Sequence, residues 1–394
     1  MNAEIFAPAN AADAAEIVRG LKGRSTLDIV GGGTRAGFGR PPEGARRLST
    51  AKLNQLVFHE PAEMILRAQA GAPLSLIEAS LAEHNQMLPF EPIDPRPLWR
   101  SVGEPTVGGL VATALSGPRR INAGSVRDSL IGLRFVNGEG EILSAGGRVM
   151  KNVTGLDLVK IQCGAHGTLG LLLEATFKLL PRPETEATIV MRRLDDAKAL
   201  AALSRALGSP YGISGAASIH AGMGRDFSRT LIRIEGFSDS VAYRIERLQA
   251  LLAEFDPRHV LQVEDSRRLW RSVRDLEFIA EALDRAIWRV SVRPSQGAEL
   301  IEALGATALA SQFDWGGGLI WIATDPTGAA AEAVRATASV RGGHATLMRA
   351  DERLRTRVEV FEPLDDFWRA QTRKLKASLD PHSLFNPGRM YADV

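Results

Sequence analysis

Short apolar runs separated by glycine-rich turns fill residues 1–180. Residues 4–7, 26–30, 56–58, 65–70, 133–136 and 170–180 read as strands, because branched and aromatic side chains suit a pleated, half-buried surface. An amphipathic helix is predicted from about Ala9. A second is predicted across 73–83, where Leu74, Ile77 and Leu81 recur at spacings of three and four. Asn137-Gly138-Glu139-Gly140, between 133–136 and 141–143, reads as a hairpin turn. At Pro181-Arg182-Pro183 the texture changes, since paired prolines stop the preceding strand and mark a boundary.

Beyond that boundary one order of elements occurs twice. Residues 187–193, 195–207, 216–220, 230–236, 238–254 and 259–263 read as β-α-β-β-α-β, and 286–293, 296–304, 307–313, 318–323, 327–339 and 344–349 repeat it. Two ferredoxin-like units in one sheet layer are expected. A last helix is predicted over 362–379, ahead of a tail that contains Phe385-Asn386-Pro387-Gly388-Arg389.

At 394 residues, 45% hydrophobic and 24% charged, the chain reads as a globular protein with more than one core. Lys and Arg number 48 against 46 Asp and Glu, so no global field recruits nucleic acid or an anionic membrane. The one cysteine, Cys163, excludes an internal disulfide framework, an iron–sulfur cluster and any Cys-based zinc site held by this chain alone. That fits a reducing compartment. Residues 1–20 lack a basic leader pattern, and no apolar run approaches the ~20 residues that span a bilayer. The expectation is a cytoplasmic protein, peripheral at the inner membrane only through partners.

Chemistry is concentrated in glycines. Residues 31–39, Gly-Gly-Gly-Thr-Arg-Ala-Gly-Phe-Gly, follow a strand and let successive N–H groups face one concavity without a Cβ in the way. The run formally matches a dinucleotide fingerprint, yet no helix pattern opens after it, and the acidic residue expected about twenty positions on is missing. Three further segments combine close-approach glycines with hydroxyls: Thr106-Val107-Gly108-Gly109, Gly124-Ser125-Val126-Arg127-Asp128, and Thr154-Gly155 leading to Gly164-Ala165-His166-Gly167-Thr168-Leu169-Gly170. Together they could line a long groove.

These runs resemble the PCMH-type FAD-binding domain of the vanillyl-alcohol oxidase superfamily. Within it, Ser116-Gly117-Pro118-Arg119-Arg120, Asp314-Trp315-Gly316-Gly317-Gly318 and the Phe385–Arg389 tail look most like the glycolate oxidase E subunits. The resemblance implies an α+β fold. A two-subdomain FAD-binding domain would cover 1–183, divided near residue 50. An α+β cap of two ferredoxin-like units over 184–350 would cover the flavin ring, and a C-terminal helix and tail, 351–394, would return to the FAD domain.

By position, the resemblance assigns Gly31, Gly32, Gly33, Thr34, Arg35 and Gly37 to the pyrophosphate, through backbone N–H groups. Thr106, Gly108, Gly109, Ser125 and Asp128 would line the groove, Gly164, Gly167, Thr168 and Gly170 would approach flavin or adenosine, and Asn386 would return the C-terminus to the cofactor. Covalently flavinylated relatives carry a His in the pyrophosphate loop or a Cys downstream, whereas this loop reads Thr34-Arg35-Ala36, so non-covalent FAD is expected.

The same resemblance implies a subunit of a complex that oxidises a small 2-hydroxy acid such as glycolate, beside a catalytic flavoprotein subunit and an iron–sulfur subunit. Its flavin would relay electrons or support the complex. The alternatives are a stand-alone FAD-dependent oxidase of another alcohol or hydroxy acid, and a structural subunit with an empty groove. The seven histidines show no i,i+3 or i,i+4 pair, and no metal site is expected. No catalytic residue is assigned. Arg289, Arg293 and His344 are the cap positions to inspect for a carboxylate cation or a base.

Overall fold

The computed structural model describes residues 5–42, 45–147, 156–220 and 227–393. The chain divides into two units. Met1–Ser116, Gly124–Arg182 and Pro363–Val394 form the first, and Gly117–Ala123 with Pro183–Glu362 form the second.

In the first unit, β1 (Ile5–Phe6), β2 (Leu27–Val30) and β3 (Arg46–Ser49) make a parallel sheet in the order β1-β3-β2. The helix Ala11–Leu21 begins at Asn10, whose side chain accepts the Asp13 N–H at 3.0 Å. Its stripe of Ala14, Ala15, Val18 and Leu21 is buried with Leu27, Leu48, Leu384 and Phe385, so the C-terminal tail is part of this core. A second sheet contains β4 (Leu56–Glu60), β5 (Ile65–Gln69), β7 (Leu130–Val136), β8 (Ile142–Gly146) and β9 (Leu171–Lys178), in the antiparallel order β4-β5-β9-β7-β8. The short strands β6 (Gln86–Met87) and β10 (Leu180–Pro181) pair separately. Helices Leu74–Glu83 and Val107–Thr113 add Leu74, Ile77, Leu81, Val107, Leu110 and Val111 to the core of the larger sheet. Glycine loops between these elements emerge next to one another.

The second unit is built on one eight-stranded sheet. Its strands are β11 (Thr185–Arg192), β12 (Ile213–Ile219), β13 (Arg229–Gly236), β14 (His259–Leu261), β15 (Ala286–Ser291), β16 (Ala310–Asp314), β17 (Leu319–Thr324) and β18 (His344–Arg349). The order β14-β11-β13-β12-β16-β17-β15-β18 is a ferredoxin-like arrangement followed by the same arrangement in reverse order, joined where Ser218 and Ile219 of β12 meet Phe313 and Gln312 of β16. The two repeats therefore fuse into a single layer.

Several boundaries differ from the sequence expectation. The second unit runs to Glu362 rather than 350, because the following segment covers the edge strand β18: Leu347 N–H donates to the Val360 carbonyl at 2.8 Å and Ala345 N–H to Glu362 Oε2 at 2.9 Å. Residues 117–123 belong with the second unit. Arg119 grips Glu235 through two hydrogen bonds of 3.1 and 2.7 Å, and Trp315 Nε1 donates to the Gly117 carbonyl. The last helix is Asp366–Leu379, started by Asp365 accepting from Trp368 N–H at 2.8 Å. Helices Val263–Arg274 and Glu352–Arg357 were not expected.

Candidate functional site

The strand β2 runs into Gly31-Gly32-Gly33, a turn that lies against the 101–106 loop on one side and is open on the other. A Cβ on Gly32 would lie 1.8 Å from the Glu104 carbonyl oxygen, so only glycine permits the approach. Gly33 adopts φ +74°, and a Cβ there would meet no atom within 4 Å. It faces open space.

That space is a cavity of about 380 Å³ within the first unit, lined by Gly31, Gly32, Gly33, Thr34, Arg35, Thr106, Gly109 and Asn386. Gly108, Gly167 and Gly170 line a smaller hollow that shares Ile29, Gly31, Gly109, Ala112, His166 and Asn386 with it. Eleven of the sixteen residues singled out from the sequence therefore gather around one region.

Five do not. Gly37 packs against the Trp99 indole, where a Cβ would sit 2.6 Å from Cδ1, and so supports the Phe38–Trp99 stack. Ser125 and Asp128 spend their polar groups on each other: Asp128 Oδ2 accepts Ser125 N–H at 2.8 Å and its hydroxyl at 2.7 Å. Gly164 and Thr168 line a separate cavity of about 190 Å³ with Cys163, Leu375 and Tyr391, and the Thr168 hydroxyl donates to the Ala165 carbonyl. Thr154 and Gly155 lie outside the described residues.

Arg35 is the electrostatic centre of the larger cavity. Its side chain is 8% exposed, and none of its three guanidinium nitrogens donates a hydrogen bond within the described residues. A guanidinium stripped of water and left without acceptors is costly. Burial pushes it down to about 10, against the opposing through-space charge of Asp94. An anion with several acceptor oxygens would answer this arrangement, and the glycine turn leaves room for one.

The walls include residues the sequence reading did not single out. His166 lies between two of the glycines with φ 52°; burial, and then the Arg389 charge, push its imidazole down to about 3, so the ring is neutral. Phe38 meets it edge-on at 4.7 Å. Arg389 donates to the carbonyls of Arg35, Ala36 and Arg40, fixing the tail over the glycine turn. Asn386 bridges the two sides of the hollow: its Oδ1 accepts from Ile29 N–H and its Nδ2 donates to the His166 carbonyl, each at 2.8 Å. The position of Arg389 in the Asn-Pro-Gly-Arg run was the available hint.

Cys163 is buried, and burial pushes its thiol up to about 12. It is no nucleophile at neutral pH. No cluster of three or more metal-ligating side chains occurs among the described residues. In the second unit, Arg293 and His344 are exposed, whereas Arg289 is half-buried against Trp315.

A family model described as an FAD binding domain matches residues 3–146. The chain is 33% identical over 380 residues to glycolate oxidase subunit GlcE of Escherichia coli (strain K12), covering 96% of each protein. It is 34% identical over 151 residues to glycolate oxidase subunit GlcD of Bacillus subtilis (strain 168), covering 38% of this chain and 30% of that protein. The crystal structure of p-cresol methylhydroxylase superposes with a TM-score of 0.72 at 14% identity, over 99% of this chain and 88% of that one. That superposition shows the fold.

Proposed function

The chain belongs to the family of glycolate oxidase E subunits, which are FAD-linked oxidoreductases, and from that premise we propose that it is the FAD-holding subunit of a complex that oxidises a small 2-hydroxy acid, with glycolate the first substrate to test. The observation that carries this reading is Arg35, a buried guanidinium without hydrogen-bond acceptors in a glycine-lined cavity. The pyrophosphate of FAD would supply the missing oxygens. Gly31, Gly32, Gly33 and Thr34 offer the surrounding backbone, and Thr106, Gly109, His166 and Asn386 form the walls.

Bound FAD supplies the capacity to accept a hydride or electrons. The protein's part is to neutralise the phosphates, to exclude water and to hold the tail closed through Arg389 and Asn386. Non-covalent attachment is supported by the loop Thr34-Arg35-Ala36 and by the high-pKa thiol of Cys163, which lines a different cavity. The partners proposed are a catalytic flavoprotein subunit and an iron–sulfur subunit. A single cysteine requires any cluster to be carried elsewhere. No helix among the described residues is long and apolar enough to cross a membrane, so membrane association is assigned to partners.

The test is the visible spectrum of the purified chain, followed by that of the supernatant after acid precipitation. A flavin spectrum that moves into the supernatant is expected. Flavin that stays with the precipitate would overturn non-covalent attachment. A folded, colourless protein that takes up no added FAD would favour a structural subunit. Turnover of a hydroxy acid by the isolated chain with an artificial acceptor would instead favour a stand-alone oxidase.

A further inference from the structure

Three arginines of the second unit gather around one phenyl ring. Arg192 ends β11, Arg193 follows it, and Arg229 begins β13. Their guanidinium carbons lie 5.5, 5.5 and 5.6 Å from the centroid of Phe227. None of the three forms a salt bridge or a side-chain hydrogen bond among the described residues, whereas Arg205, Arg267, Arg274 and Arg335 of the same unit each have a carboxylate partner. The acids that follow in the chain are committed elsewhere. Asp195 accepts from Lys198 N–H at the start of the helix Asp196–Leu207, and Asp196 pairs with His220 at 3.1 Å.

The fold enforces this crowding. Arg192 stands directly opposite Arg229 in the antiparallel pairing of β11 with β13, a position where like charges destabilise a sheet. Arg193 is held at φ 62°, a conformation that few residues besides glycine and asparagine adopt. Its N–H donates to the Ser228 carbonyl at 3.0 Å, and the Ser228 hydroxyl donates to the Leu194 carbonyl at 2.6 Å, which ties the two segments together. Contact with the ring face offsets only part of the repulsion. Arg192 and Arg193 are exposed while Phe227 and Arg229 are half-buried, so the cations face solvent around a partly sheltered ring. The patch also lies about 20 Å along β13 from Glu235, the partner of Arg119, at ~3.3 Å per residue.

We propose that Arg192, Arg193 and Arg229, gathered on Phe227, form the docking site for an acidic segment of a partner protein that presents two or three Asp or Glu side chains. Carboxylates match the fork of a guanidinium in pairs, and they would relieve the repulsion that the fold imposes. Arginine beside an aromatic ring is also the composition of the centres of protein interfaces. A nucleic acid or an anionic membrane fits less well, because each reads an extended basic surface and this chain carries a net charge of only +2. That the partner is another subunit of the same complex rests on the proposed function.

The first experiment titrates the full-length chain into a fluorescent hexaglutamate peptide and follows anisotropy at low and at physiological salt. Saturable binding that weakens with salt is expected. It should fall about tenfold or more in Arg192→Gln and in Arg193→Gln, the range for losing a charge-assisted hydrogen bond, and stay unchanged in Arg353→Gln on the helix Glu352–Arg357. Both altered residues are exposed, and each substitution removes a like charge, so neither variant should melt below the unaltered protein. Absent peptide binding, or binding indifferent to both substitutions, would overturn the proposal. Tighter binding of an oligothymidine or of phosphatidylglycerol vesicles through the same arginines would overturn the choice of a protein partner. The second experiment co-expresses the chain with the proposed catalytic flavoprotein subunit. The double variant Arg192→Glu, Arg193→Glu should lose co-elution while its flavin content stays unchanged, and co-elution that survives would overturn the assignment to that subunit. Failure of the unaltered chain to co-elute would count against the proposed complex instead, with the peptide titration still deciding the site.

Discussion

Replacing Arg35 with methionine keeps most of its volume and removes the charge, so two effects of opposite sign are expected. Flavin affinity should fall by about 10- to 100-fold, since the phosphates lose a charge-assisted donor. The flavin-free protein should melt no lower than the unaltered one, because a buried charge without acceptors has been removed. Titration of the apo-protein by flavin fluorescence, with a melting curve beside it, checks both; equal affinity would place the phosphates elsewhere. His166 carries a pH prediction. Its imidazole is held neutral down to about 3, so the folded state binds its proton less readily than the unfolded chain does. The associated stability is fully present above pH ~6.5 and is lost at up to roughly 1.4 kcal/mol per pH unit as pH falls toward 3. Urea unfolding at pH 7, 5.5 and 4.5 should show a shallower acid decline in His166→Gln. Neither the orphaned state of Arg35 nor the neutrality of His166 was legible in sequence, since both depend on what the rest of the chain puts around them.

The turn after β2 separates folding from binding within adjacent glycines. Gly32→Ala drives a methyl into the Glu104 carbonyl and should reduce soluble, folded protein. Gly33→Asp directs its carboxylate into open cavity, so the protein should fold at a cost of about 1–2 kcal/mol for the left-handed conformation and fail to retain flavin. Circular dichroism and flavin content measured on both variants make the comparison; normal flavin content in Gly33→Asp would remove the loop from the cofactor site. At the C-terminal helix, the ammonium of Lys376 donates to Asp380 and to the carbonyls of Thr168 and Phe385, at 2.7–2.9 Å. Asp380 in turn accepts from the Leu384 and Phe385 N–H groups. Lys376→Met leaves a carboxylate buried without its counter-charge and should cost about 3–5 kcal/mol in denaturant unfolding. Because this knot carries Asn386 and Arg389 to the cavity, flavin retention should fall with it. The helix itself was legible from its pattern; the knot joins Thr168 to Lys376 across the chain and was not.

For the whole molecule, a cofactor that binds only the folded state adds stability by mass action, about 2.7 kcal/mol at a hundredfold excess over its dissociation constant. Saturating FAD should therefore raise the melting temperature of the apo-protein, and FMN, which lacks the pyrophosphate, should raise it much less. Hydrophobic periodicity alone determined the twice-repeated β-α-β-β-α-β order, because strand and helix patterns are local and each repeat carries both, whereas the α+β class of the whole chain came with the family resemblance. It missed the helix Val263–Arg274, whose buried face is only Ser266, Trp270 and Val273 among many charged positions. The glycine runs named the region of the cavity for the same local reason: backbone conformation and close approach are written residue by residue. Tertiary structure decided which of those residues share one space. It turned Ser125 and Asp128 toward each other, set Gly37 under an indole, moved Gly164 and Thr168 to another cavity, and carried residues 117–123 to the second unit. These outcomes depend on contacts between distant segments. The charge left unanswered at Arg35 is visible only once every other partner has been placed.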